Sequence, residues 1–148
     1  MPNRRQAGLS TASLAPIAPM IMQLQSTLVN ELHERLPEAG FPEVRPPHCQ
    51  VLSRIGPQGS RLTDLASAAR MTKQSMGFLV DHLEACGYLE RVPDPRDARV
   101  KAILLTEKGR LARQAVADTG ARLEAEWETK VGARRLEQLR DALARIIS

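Results

Sequence analysis

A chain of 148 residues, 43% apolar and 26% charged, is long enough to bury one core and too apolar to be wholly disordered, and at 3% aromatic content that core must be built from Leu, Ile, Val, Ala and Met. Cys49 and Cys86 cannot frame a disulfide scaffold, no apolar run nears the roughly 18 residues a bilayer needs, and the first ten residues lack the apolar stretch of a secretory signal, so the expected compartment is the cytoplasm, with no membrane partner. The formal charge of +4 fits a polyanionic partner, and fits a merely soluble basic protein as well.

Residues 1–13 are polar, carry Arg4 and Arg5, and read as a mobile arm, either a solvated tail or one whose charges touch nucleic acid. Ile17, Ile21, Leu24, Leu28, Leu32 and Leu36 recur at steps of three and four, one apolar stripe of a helix that is expected to stop before Pro37. A Pro- and Gly-rich loop follows to Pro47. A short helix is expected from about His48 to Ile55, and Gly56-Pro57-Gln58-Gly59-Ser60 breaks it. Leu62 to Ala69 form another short helix. After the tight turn Arg70-Met71-Thr72, Thr72 is a good N-cap for a helix running to about Ala85, whose Met76, Leu79, Val80 and Leu83 face a core, and Gly87 stops it.

Two strands come next, Tyr88 to Val92 and Val100 to Leu105, joined by a long polar tip from Pro93 to Arg99. Thr106 then caps a long helix, with Glu107 favourable in its first turn. Leu111, Ala115, Val116, Leu123, Trp127 and Val131 mark the apolar side expected of that helix. Gly132 interrupts it, and a last helix carries Leu136, Leu139, Leu143, Ile146 and Ile147 on one stripe.

Helix, tight turn, helix and basic hairpin in that order make a winged helix-turn-helix, in which the second helix enters the major groove of DNA. The stretch LTDLASAARMTKQSMGFLVDHLEACGYLERVPDPRDARVKAILLTEKG, Leu62 to Gly109, resembles the winged core of the multiple-antibiotic-resistance regulator (MarR) family. LVDHLEACGYLER, the wing DPRDAR and LLTEKGR carry the likeness; the flanking helices match in position and length only. The resemblance implies a mainly α fold with a two- to three-stranded β-wing, in a single domain over residues 14–148. Its winged core would span about 46–106 and its dimerisation helices about 14–36 and 107–147. It further implies a homodimer with interlocked terminal helices, which binds palindromic operators in double-stranded DNA and usually represses. A small phenolic or anionic effector would bind between the dimer helices and the winged domain.

On this architecture the candidate major-groove residues are Thr72, Lys73, Gln74, Ser75, Gly77 and Phe78. Gln pairs with adenine, Lys with guanine or phosphate, and Ser with either. Gly77 and Phe78 depart from the family pattern of a small hydroxyl residue followed by a larger polar one. Phe78 could sit on a thymine methyl or fold onto a neighbouring helix. In the wing, Asp97 and Arg99 match the family's D-x-R motif, in which a carboxylate two residues away orients a guanidinium for a minor groove of concentrated negative potential. Arg96 and Lys101 would meet phosphates, and Ala98 stands where the family often has another Arg.

No catalytic activity, metal or cofactor is expected. Asp64, Asp81, Glu84 and Glu90 are read as lying on separate solvated faces, and no Ser-His-Asp order, P-loop or Rossmann glycine pattern occurs. His33, His48, His82, Cys49 and Cys86 show no paired ligand spacing. The competing reading is a winged-helix protein-interaction module that no longer binds DNA, for which Arg96, Arg99 and Lys101 together would have no use.

Overall fold

A computed structural model describes residues 15–148, so the arm expected at residues 1–13 lies outside them. Six helices and a hairpin follow in the order α1 (Ile17–Glu38), α2 (Pro46–Arg54), α3 (Leu62–Ala68), α4 (Lys73–Ala85), β1 (Leu89–Asp94), β2 (Asp97–Leu105), α5 (Glu107–Val131) and α6 (Ala133–Ile147). The fold is mainly α with a small wing, as expected. The wing is a two-stranded antiparallel sheet, and the third strand is reduced to a single bridge between Ser60 and Ile103.

Pro37 does not stop α1 but sits inside its last turn. So near the end its missing N–H forfeits only one helical bond. The turn is then closed by backbone donors: Gly40 N–H donates to Pro37 O and Phe41 N–H to Leu36 O, with Gly40 at φ +96°. This is the Schellman pattern. It recurs after α3, where Met71 N–H reaches Ala66 O, and after α4, where Tyr88 N–H reaches Leu83 O. Each closure returns an apolar residue (Phe41, Met71, Tyr88) to the core. The second helix starts at Pro46 rather than His48, since proline is tolerated in a first turn, and His48 Nδ1 accepts from Arg45 N–H at 2.9 Å.

One core joins all the elements of the winged region. Val51, Leu52, Leu65, Met76, Val80, Leu83, Tyr88, Leu89, Ile103 and Leu105 are buried together with Leu32 and Leu36 of α1 and Ala112 of α5. Helix α5 buries the expected line in part: Leu123 is buried, Ala115 and Val116 pack against the core and Trp127 is half-buried. Leu111 and Val131 are exposed, and the covered residues are Gly109, Ala112, Thr119 and Leu123. Small residues face inward because α5 passes close to its neighbours: a Cβ on Gly109 would stand 2.0 Å from Tyr88 O. The terminal stripes are only partly covered. Ile17, Ile21 and Leu24 of α1 and Leu139, Leu143, Ile146 and Ile147 of α6 remain exposed.

Candidate nucleic-acid interface

The start of α4 is built by its cap. Thr72 Oγ1 accepts from Ser75 N–H at 3.0 Å and donates to Ser75 Oγ at 2.9 Å, so these two hydroxyls are partly engaged with each other. Met76, Val80 and Leu83 are fully buried against α2, α3 and the wing, which rotates the other face of α4 outward. Lys73, Gln74 and Ser75 are exposed there, Gly77 is half-buried, and the Phe78 ring is 67% exposed. Phe78 does not fold onto a neighbouring helix.

The wing tip is tighter than expected. The strands run on to Asp94 and Asp97, which face each other across Pro95-Arg96, with a register shift at Pro93/Asp94. Two tandem clamps hold it. Asp97 accepts from Arg99 N–H at 3.1 Å and from its Nε and Nη2 at 3.0 Å each. Asp94 treats Arg96 the same way: its carboxylate accepts from Arg96 N–H at 2.8 Å, Nε at 3.2 Å and Nη2 at 3.1 Å. Asp94 also takes Arg61 Nε, 33 residues away, at 2.6 Å.

These two clamps differ in depth. The Asp94 side chain is 1% exposed, and Arg96 and then Arg61 hold its carboxyl well below the usual carboxylate range. Asp97 is also lowered, by Arg99 first. The Arg99 side chain itself is 90% exposed, a cation oriented by a carboxylate yet free to meet a partner. Asp94 and Arg61, absent from the sequence candidates, pin the wing tip to the start of α3. Their signal was the repetition of D-x-R, Asp94-Pro95-Arg96 followed at once by Asp97-Ala98-Arg99.

Between α3, α4 and the wing lies a crevice of about 210 Å³ whose lining includes Arg61, Lys73, Arg91 and Lys101. It brings together Lys73 and Lys101 from the two candidate sets, while Arg96 and Arg99 lie beyond it at the tip. Arg61 is paired with Asp94, and Arg91 with Asp81 at 2.7 Å and with Glu84. Asp81 and Glu84 therefore share one arginine rather than standing on separate faces. Lys73 and Lys101 have no carboxylate partner among the described residues.

Of the histidines and cysteines, His48 and Cys49 are buried, Cys86 packs partly against the core, and His33 and His82 are exposed. His48 stacks on His82 with centroids 4.5 Å apart and planes 7° apart, and burial, then His82 and Arg45, lowers it to about 4. Burial pushes the Cys49 thiol up to about 11, away from thiolate reactivity. Among the described residues no group of three His, Cys, Asp or Glu could hold a metal, and no helix is long and apolar enough to cross a membrane.

Comparison with known proteins agrees with this geometry. Residues 44–100 match the model of the MarR family. Among solved structures, CouR from Rhodococcus jostii RHA1 bound to p-coumaroyl-CoA superposes with a TM-score of 0.74 at 24% identity, over 93% of this chain and 95% of that one. The reduced form of MarR from E. coli gives 0.74 at 20% identity over 91% and 98%. The regulator BldR from Sulfolobus solfataricus gives 0.66 at 23% identity over 87% and 93%. No curated protein sequence matches the chain.

Proposed function

We propose that the chain, whose residues 44–100 match the model of the MarR family, binds double-stranded DNA as a homodimer and regulates transcription in the cytoplasm, without being an enzyme. The observation that supports this most is the pairing of the exposed α4 face with the oriented Arg99 of the wing. In this reading Thr72, Lys73, Gln74, Ser75, Gly77 and Phe78 lie in the major groove. Arg99, aimed by Asp97, enters the adjacent minor groove, and Arg96 and Lys101 meet phosphates.

The domain is one unit over residues 14–148. The uncovered stripes of α1 and α6 support dimerisation, because apolar faces of this size need a partner. A twofold pair would set two recognition helices about 34–36 Å apart, one turn of DNA, and so read a palindromic operator. The protein would act as a repressor released by a small phenolic or anionic effector. Such a ligand works only through its difference in affinity between DNA-competent and DNA-incompetent spacings of the two lobes. CouR, crystallised with p-coumaroyl-CoA, supports the ligand class.

A fluorescence-anisotropy titration of the full chain with random duplex DNA tests the reading. Binding at low salt that weakens linearly in log salt is expected. A chain that stays unbound at low salt is instead a protein-interaction module.

A further inference from the structure

We propose that Phe78 reads the 5-methyl group of a thymine, seated against the bare backbone at Gly77. The inference rests on the DNA-binding reading above and assigns it a base preference.

Phe78 is an anomaly of placement. Among the described residues, the other large apolar side chains that are strongly exposed all belong to α1, α5 or α6. Phe78 alone belongs to the winged core, on the α4 face opposite Met76 and Val80. No contact within the chain accounts for a phenyl ring held in water at that point.

Gly77 is the second anomaly. Its backbone is ordinary helix, and a Cβ added there would meet only Leu62 Cδ2, at 3.9 Å. Neither a positive φ nor crowding within the chain requires glycine, yet a mid-helix Gly is a poorer helix former than Ala. What its absent side chain provides is therefore space outside the chain. Leu62, Lys73, Gln74, Gly77, Phe78 and Asp81 line an open notch of about 500 Å³.

The chemistry of this lining selects among bases. In the major groove thymine presents a methyl group beside the O4 acceptor, and cytosine presents an N4 donor and no methyl. Leu62 and Phe78 are apolar, as a methyl needs. Lys73 and the Gln74 amide are donors, as O4 needs. Asp81 accepts from Arg91 at 2.7 Å through one oxygen, and the Gln74 amide carries an acceptor as well as a donor, so it is the apolar contact with the methyl that sets the preference.

The test uses the full chain. Duplexes selected from a random pool are remade with deoxyuridine in place of each thymine in turn, which deletes the methyl and keeps O4 and pairing. A buried methyl contributes roughly fourfold in affinity. One thymine per half-site should therefore show a loss of roughly fourfold, and roughly fifteenfold when both are changed. Phe78→Ala should bind the thymine and uracil duplexes alike, Phe78→Leu should retain part of the difference, and both should melt at the wild-type temperature. The proposal is overturned if no uracil substitution weakens the wild type, or if Phe78→Ala keeps the full discrimination. Failure to bind any duplex removes the DNA-binding reading itself, so the two failures are distinguishable.

Discussion

Gly109→Ala and Gly120→Ala make the same chemical change on the same helix and should act in opposite directions. At Gly109, in the first turn of α5, the new Cβ would lie 2.0 Å from Tyr88 O and 3.1 Å from its carbonyl carbon, with Leu105 Cδ2 at 3.2 Å. Ordinary contact begins near 3.4 Å, so the start of α5 must back away from Tyr88 by more than 1 Å. The obstacle is backbone and cannot rotate aside. The junction it disturbs is held by Thr106 Oγ1 donating to Gly87 O at 2.6 Å, Thr106 N–H to Tyr88 O at 3.1 Å and Lys108 Nζ to Cys86 O at 2.8 Å. Overpacking costs about 1–3 kcal/mol and each hydrogen bond lost about 1 kcal/mol, so Gly109→Ala should lose about 3–5 kcal/mol. At Gly120 nothing lies within 4 Å of the added Cβ, and Ala should gain about 1 kcal/mol of helix propensity. Urea unfolding at one fixed protein concentration reads both, since a dimer's stability depends on concentration. Equal midpoints for Gly109→Ala and wild type, or shifts of the same sign in the two variants, would refute the close approach of α5 to the wing.

Three further outcomes are expected. Arg99→Ala should leave the melting temperature nearly unchanged, because an ion pair this exposed adds little to stability, while weakening DNA binding and flattening the salt slope by about two units per dimer. Asp97→Ala should weaken binding too, although it removes a negative charge; tighter binding at fixed salt would show that Asp97 does not aim Arg99. Replacing Leu139 and Leu143 of α6 by Asp should give monomers or unfolded chain by light scattering, and an intact dimer would place the interface elsewhere. His48, near 6.5 when unfolded and about 4 in the fold, takes its proton first in the unfolded chain as pH falls. Its contribution to stability is therefore full above about 6.5 and lost between 6.5 and 4, and His48→Gln should flatten the melting temperature over that window.

What the sequence determined by itself is local or periodic. The caps at Thr72 and Thr106 were legible because a hydroxyl three residues before a free N–H is a short-range relation. The helix stripes, the stop at Gly87 and the Asp97–Arg99 clamp were legible for the same reason, and so was the order of helices and hairpin. Tertiary structure decided whatever depends on elements distant along the chain. The stripe on α1 was visible, but not that only Leu32 and Leu36 are buried within the chain, since periodicity records a face and not what covers it. The inward line of α5 ran through Ala112 rather than Leu111 because close packing admits the smaller residue. Asp94 looked like one polar residue in a turn. Its meeting with Arg61 across 33 residues, which ties the wing to α3, exists only once the sheet register has brought the two together.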